Sequence, residues 1–314
     1  MRALRIGTRG SPLALWQARA VKAAIEAAGG PDSELLIIKT SGDRLAAASV
    51  SAVGGKRLFV KEIEEALLNG SIDLAVHSAK DLPADLLPGL TIGATLRRED
   101  PRDALALPTR HDALDTSAPT GLSAAIGPST RVGTGSVRRI AQLSSACRGA
   151  TFEPIRGNVE TRLRKLDEGG YDVIVLAAAG LIRLGLAHRI AVPLSYDECV
   201  PAPGQGIVAI ENRASDAATV EVLKLVCDRH AMAALEAERA LVTALGGSCQ
   251  VPIGAIATED EDGLTLQAIV ASLDGSRVLR RQGRGPVDTA ARLGQQVASE
   301  LIDDGASEIL AQHS

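Results

Sequence analysis

Apolar positions in the first hundred residues alternate between two periods. Ala3-Leu-Arg-Ile-Gly-Thr8 reads as a strand, and a helix follows from Pro12, with Ser11 placed to cap it and proline at its first position. Glu34-Leu-Leu-Ile-Ile-Lys39 predicts a second strand. Phe59, Ile63, Ala66 and Leu67 share one face of a helix over Phe59–Leu68, which leads into the strand Asp73-Leu-Ala-Val-His77. Strands separated by helices predict parallel pairing through crossovers.

The same order returns over residues 130–185. Val132-Gly-Thr134, then Ser136 and a helix, echoes Ile6-Gly-Thr8, then Ser11 and a helix. Asp172-Val-Ile-Val-Leu-Ala-Ala-Ala-Gly-Leu181 echoes Asp73-Leu-Ala-Val-His-Ser-Ala-Lys-Asp-Leu82. Either the echo is chance, or two domains of like topology face each other across a cleft at the carboxyl ends of their strands. Leu107–Thr130, rich in breakers, reads as connecting structure. Residues 226–314 differ in kind. A helix over Ala231–Leu245 ends at Gly246-Gly247, strands run over Gly254–Ala257, Leu264–Leu273 and Arg277–Gly283, and a helix spans Asp288–Leu301, which together predict a small α+β domain. Residues 41–57 are small and weakly patterned, the mark of a binding loop or of an insertion.

Composition narrows the class. The chain has 314 residues, 46% hydrophobic, with a net charge of −4, so the overall field favours neither nucleic acid nor an anionic membrane, and an anion must be met by a local cluster of cations. An aromatic content of 2% argues against stacking platforms for bases. No apolar run reaches the length of a membrane span, and the N-terminus runs into a strand with no signal-peptide core, so a cytoplasmic protein is expected. Four cysteines without a CxxC pair or nearby histidines predict reduced thiols and no metal site.

The arginines are the oddity. Arg138 and Arg139 fall in the first turn of a helix starting at Ser136, and Arg162 lies about one turn after the Asn158 cap, where each cation opposes the helix dipole at a cost of ~0.3–1 kcal/mol. A bound anion would offset that cost. Arg9 and Arg156 sit at equivalent strand ends, although solvated surface arginines are the alternative for each. Asp81, in His77-Ser-Ala-Lys80-Asp81-Leu-Pro83, is either an ionised carboxylate in a cationic cleft or a turn residue, and His77 is expected to be hydrogen-bonded within its strand. Cys249, on Gly246-Gly-Ser-Cys-Gln-Val-Pro-Ile-Gly254, is either a small buried hydrophobe or a thiol on a tight loop made nucleophilic by nearby cations.

Taken in order, Arg5-Ile-Gly-Thr-Arg-Gly-Ser-Pro-Leu-Ala-Leu-Trp-Gln17, Gly54-Gly-Lys-Arg-Leu-Phe-Val-Lys-Glu62, Ala75-Val-His-Ser-Ala-Lys-Asp-Leu-Pro83, Val132-Gly-Thr-Gly-Ser-Val-Arg-Arg139, Arg156-Gly-Asn-Val-Glu-Thr-Arg162, Pro203-Gly-Gln-Gly206 and the Cys249 loop resemble porphobilinogen deaminase, the hydroxymethylbilane synthase family. The resemblance implies two similar doubly wound α/β domains of the periplasmic-binding-protein kind, residues 1–100 with 205–225 and residues 101–204, plus a C-terminal α+β domain over 226–314. It implies a transferase that deaminates porphobilinogen and joins four units head to tail on a dipyrromethane cofactor, releasing hydroxymethylbilane by hydrolysis. Cys249 matches the cysteine that carries the cofactor by a thioether, and Asp81 the catalytic aspartate. Arg9, Arg138, Arg139, Arg156, Arg162 and Arg183 match arginines for acetate and propionate groups. Ser11, Gln17, Lys56, Phe59, Lys80, Thr134 and Ser136 match supporting contacts. A cytoplasmic monomer, no nucleic-acid or membrane partner, and hand-off of product to uroporphyrinogen-III synthase are further implications. Ala52, Gly135 and Ser248 depart from the family pattern. A two-domain solute-binding protein for an organic anion is the competing class; it has no use for a third domain bearing a loop cysteine.

Overall fold

The structure is a computed structural model that describes residues 3–41, 60–109, 121–246 and 251–312. Three sheets organise these residues. In the first, β1 (Leu4–Thr8) lies parallel to β2 (Ser33–Ile37) and β3 (Leu74–Ser78), and the order is completed by β4 (Leu90–Thr95) beyond β10 (Val208–Arg213). In the second, β6 (Arg131–Gly133) lies parallel to β7 (Thr151–Glu153) and β8 (Val173–Ala177), and the order is completed by β5 (Asp103–Ala106) and β9 (Val192–Pro193). Written out, β2-β1-β3-β10-β4 and β7-β6-β8-β5-β9 are one pattern.

Pairing is not parallel throughout, which corrects the reading from strand–helix alternation. β10 runs antiparallel to β3 and β4, and β5 antiparallel to β8 and β9. These are the strands reached when the chain crosses between the two sheets, so no crossover helix dictates their direction. The two crossings travel together: Leu96 N–H donates to the Val208 carbonyl and Glu99 N–H to that of Gly206.

Helix α1 (Pro12–Ala27) begins as expected. Ala14 N–H donates to Ser11 Oγ at 3.4 Å, a cap worth about 1 kcal/mol, and Gln17, Ala18, Val21 and Ile25 turn inward. Ala18, Val21 and Ile25 pack on Ile6, Leu74 and Val76, while the opposite face of the sheet takes Ile63 and Leu67 from α2 (Lys61–Leu68). Each large aliphatic side chain so buried contributes roughly 1.5–3 kcal/mol. The second sheet is likewise covered on both faces: Val132, Val173 and Val175 pack with Leu122 and Leu143 on one, and Ile174 and Leu176 with Leu163, Leu166 and Leu181 on the other. Within the segment Leu107–Thr130, α3 (Leu122–Ala125) interrupts the connecting structure.

In the C-terminal part, β11 (Ile253–Asp260), β12 (Gly263–Ala271) and β13 (Val278–Gly285) form an antiparallel sheet. It is covered by the long helices Arg229–Ala244 and Ala290–Asp303, a few residues from the bounds that periodicity predicts. Glu238, fully buried on the first of these helices, ties the three parts together. It accepts from Arg98 Nη1 at 2.6 Å, Gly204 N–H at 2.5 Å and Ala257 N–H at 2.8 Å. Among the described residues no helix is long and apolar enough to cross a membrane.

Candidate active site

Strand β3 ends in a 3-10 turn, Ala79–Asp81, that leaves Asp81 exposed. The turn is clamped from one side. Ala79 N–H donates to the Ile207 carbonyl at 3.0 Å, and Gly204, at φ +76°, presses so close that a β-carbon there would lie 3.0 Å from Lys80 N. Only glycine fits this left-handed position against the backbone. Gln205, next along the same loop, accepts from Lys80 Nζ at 3.2 Å. His77 Nε2 lies 3.0 Å from Glu211 Oε2, as its expected hydrogen-bonded place in the strand requires.

The helix that begins at Val137 brings Arg138 and Arg139 together, but their situation differs from that read in the sequence. Ser136 makes no side-chain cap; Thr134 Oγ1 instead accepts from Ser136 N–H at 3.2 Å. Both arginines are buried, and the anion at this helix start is the protein's own Asp103 at the head of β5. Arg138 Nη1 reaches Oδ2 at 2.7 Å and Arg139 Nη2 reaches Oδ1 at 2.6 Å, while the carbonyls of Val200 and Val175 accept from the same two guanidinium groups. Burial by itself would push the Asp103 carboxyl up, but Arg138 and Arg139 outweigh it and hold the group well below the usual carboxylate range. Cys199, whose Sγ donates to Asp103 Oδ2, is pushed up to about 12 by burial and by that carboxylate, so it is an inert thiol.

A cavity of about 620 Å3 opens at the carboxyl ends of both parallel strand sets. Lys80 and Asp81 enter it from the first sheet, and Ser136, Arg138, Arg139, Arg156 and Arg162 from the second. The C-terminal part contributes Arg239, Val242, Val251 and Ile253. A smaller cavity of about 80 Å3 is lined by Arg9, Ser11, Gln17 and His77, and again by Asp81. Gln17 Nε2 is held by Ser78 Oγ at 2.8 Å. Asp81 is therefore the carboxylate common to two cation-lined spaces. Burial pulls the Lys80 ammonium down to about 8, with Arg139 and Arg138 acting in the same sense and Asp81 and Asp103 opposing them. Burial and Arg139 also draw Arg162 below its ordinary value. A polycarboxylate ligand would relieve both.

Two sequence candidates lie elsewhere. Thr134 supports the start of the helix, and Arg183 donates to the Gly206 carbonyl at 2.7 Å with its guanidinium 5.4 Å from the Trp16 ring centre. Neither lines the two cavities. Lys56, Phe59 and Cys249 lie outside the described residues, as do Ala52 and Ser248 and the loop from 42 to 57. Gly135 lines the larger cavity, with space beside it: a β-carbon there would lie 3.4 Å from the Ile155 carbonyl. Asp103 and Gln205 escaped sequence reasoning. The signal for Asp103 was an acid opening the apolar strand Ala104-Leu-Ala106; Gln205 stood in a quoted motif without a role. Among the described residues no cluster of His, Cys, Asp and Glu could hold a metal ion.

Fold and site together define a two-sheet α/β protein with a third α+β part, built around a cationic cleft for a polycarboxylate with one exposed carboxylate in its midst. The family model described as "Porphobilinogen deaminase, dipyromethane cofactor binding domain" matches residues 4–221, and that described as "Porphobilinogen deaminase, C-terminal domain" matches residues 232–303. The porphobilinogen deaminase of Syntrophobacter fumaroxidans is 46% identical over 312 residues, 99% of this chain and 98% of the relative. That of Syntrophotalea carbinolica is 47% identical over 311 residues, 98% of this chain and 95% of the relative. Among solved structures, the periplasmic VFT2 domain of Bordetella pertussis BvgS is a distant likeness, with a TM-score of 0.40 and 17% identity over 71% of this chain and 86% of that one. The chain belongs to the porphobilinogen deaminase family, the hydroxymethylbilane synthases of tetrapyrrole biosynthesis.

Proposed function

We propose that the chain condenses four porphobilinogen units head to tail in the cleft around Asp81, on a dipyrromethane held by a thioether to Cys249, and releases hydroxymethylbilane by hydrolysis. The observation that carries this reading is the position of Asp81, shared by two spaces with cations on both sides. The residues present fit the cofactor. Each pyrrole carries two carboxylates, and the larger cavity offers Lys80, Arg138, Arg139, Arg156 and Arg162 within a volume typical of small-molecule sites. Val242 and Val251, on either side of residues 247–250, both line that cavity, which supports anchoring from Cys249. In this reading the domains are residues 1–100 with 205–225, residues 101–204 and residues 226–314, and the protein is a cytoplasmic monomer whose product passes to uroporphyrinogen-III synthase.

When bound, the dipyrromethane supplies the free pyrrole α-carbon that acts as nucleophile. The chain's residues do the rest. Guanidinium groups pair with carboxylates and set the register of the pyrroles. The Asp81 carboxylate, which lines both spaces, would stabilise the positive charge that develops on the incoming unit as ammonia leaves, an interaction stronger in the transition state than in the ground state. Arg9, Ser11 and Gln17 hold polar groups on the far side of Asp81.

Intact mass is the direct test. Purified protein is expected to exceed the bare chain by one dipyrromethane. Cys249→Ser should lose that excess, and serine at Cys147, Cys199 or Cys227 should keep it. A bare-chain mass for the unmodified protein would return the solute-binding reading to the front.

A further inference from the structure

The loop Pro203–Gly206 does more than clamp a turn. Gln205 is almost fully buried yet reaches the cavity, and both ends of its amide are engaged. Its Oε1 accepts from Lys80 Nζ at 3.2 Å, while its Nε2 donates to the Pro101 carbonyl at 2.7 Å and to Asp103 Oδ1 at 3.0 Å. That same Asp103 oxygen accepts from Arg139. The backbone of the loop is pinned as well: Arg98 Nε donates to the Gln205 carbonyl at 2.9 Å, Arg183 to the Gly206 carbonyl, and Gly204 N–H to Glu238. An amide that donates at one end and accepts at the other can bridge a cation to an anion, which neither a leucine nor a carboxylate of the same length can do.

We propose that Gln205 is a positioning residue that holds the Lys80 ammonium beside Asp81 and couples this turn to the Asp103–Arg138–Arg139 cluster across the cleft. The proposal rests on the reading of Asp81 as the catalytic carboxylate, but its test reads Lys80 directly. Lys80 is faced by Asp81 on its own turn, by Asp103 on β5, by Arg138 and Arg139 on the helix behind them, and by the Gln205 amide.

The experiment follows the Lys80 titration by NMR of lysine-labelled, cofactor-bearing protein, with its signal assigned from Lys80→Arg. Gln205→Leu removes the oxygen that stabilises the ammonium, so its titration is expected to move to lower pH by roughly 0.5–1 unit. Gln205→Glu places a charge there and moves it to higher pH. The alkaline limb of substrate binding should follow in the same directions, with the covalent cofactor retained by mass. Opposite shifts support the hold of Gln205 on Lys80. Shifts of the same sign, or none, overturn it. Should Gln205→Leu not fold, Gln205→Glu decides alone, because an unchanged or lowered titration in that variant contradicts the bridge. Failure of the Asp81 reading would show separately, as Asp81→Asn protein that turns over normally.

Discussion

The two five-stranded sheets invite comparison strand by strand. Arg5 and Arg131 lie at the starts of equivalent strands, second in β1 and first in β6, and bond alike. Arg5 meets Asp73 at 2.8 Å and the Gly70 carbonyl, and Arg131 meets Asp172 at 2.8 Å and the Gly169 carbonyl. Gly7 and Gly133 hold equivalent positions, and a β-carbon at either would collide with the residue before that aspartate, Ile72 or Tyr171. The carboxylates diverge at the cleft end. In the first sheet, Val208 faces Ser78 across the antiparallel pair, and the acid, Asp81, stands exposed on the turn beyond. In the second, Asp103 takes the place of Val208, facing Ala177, and the acid is buried beneath two arginines while the chain beyond continues as the helix Ala178–Arg183. One frame thus presents a carboxylate to the cleft and the other presents guanidinium groups, because the acid lies above the sheet in one and within it in the other.

The comparison breaks most severely at Asp103. Asp103→Asn keeps the shape but leaves two buried arginines uncompensated, and the loss is expected to be about 3–5 kcal/mol in stability, read by thermal or urea unfolding. Val208→Ala, the equivalent place in the first sheet, should cost clearly less, since only apolar contacts are removed. Comparable losses at the two positions would show that the buried charge of Asp103 contributes no more to stability than ordinary apolar packing does.

The exposed acid is expected to act on the rate. Asp81→Asn should lower kcat by roughly 100- to 1000-fold with little change in stability, by analogy with other lost electrostatic stabilisers. Arg156→Lys should instead weaken substrate binding or stall particular elongation steps. Single-turnover kinetics with intermediates resolved by mass would separate the two, and a near-normal kcat in Asp81→Asn with only a raised KM would remove its catalytic role.

Lys80 sharpens the contrast through pH. Its folded value of about 8 lies below the ordinary lysine value near 10.4, so between these the unfolded chain binds more protons and stability rises with pH. The destabilisation from the charged, enclosed ammonium is complete below pH 8 and fades towards 10.4. In the cofactor-free Cys249→Ser background, Lys80→Met should therefore be the more stable protein at pH 7, by a margin that shrinks as pH rises to about 10. A margin independent of pH would contradict the shift.

The smallest effect belongs to the matched ion pairs. Asp73 is buried and also within 3.5 Å of Arg213, whereas Asp172 is half-exposed. Asp73→Asn is expected to lower Tm by several degrees and Asp172→Asn by less, since exposed pairs contribute little. Equal shifts would mean that burial does not set the difference.

Much of this was legible in the chain. Local signals determined the parallel strands β1 to β3 and β6 to β8, those of the C-terminal sheet, the Ser11 and Asn158 caps and the helices of the C-terminal part, because capping and periodicity act within a few residues, but they did not mark β4, β5, β9 or β10. The internal echo anticipated the twin sheets, since an Arg–Asp pair and a packed glycine recur at fixed places in each. The motifs, read in order, carried the family. What only the tertiary structure decided is where charges meet. The sequence shows Arg138 and Arg139 opposing a helix dipole, but not that Asp103, 35 residues upstream of Arg138, is carried beneath them by an antiparallel strand. It shows Gln205 in a glycine-rich turn, but not that the turn lies between Lys80, 125 residues earlier, and that same Asp103. Capping and periodicity are fixed by neighbours along the chain, whereas the partner of a buried charge is fixed by which strands lie side by side, and that is settled only when the sheets assemble.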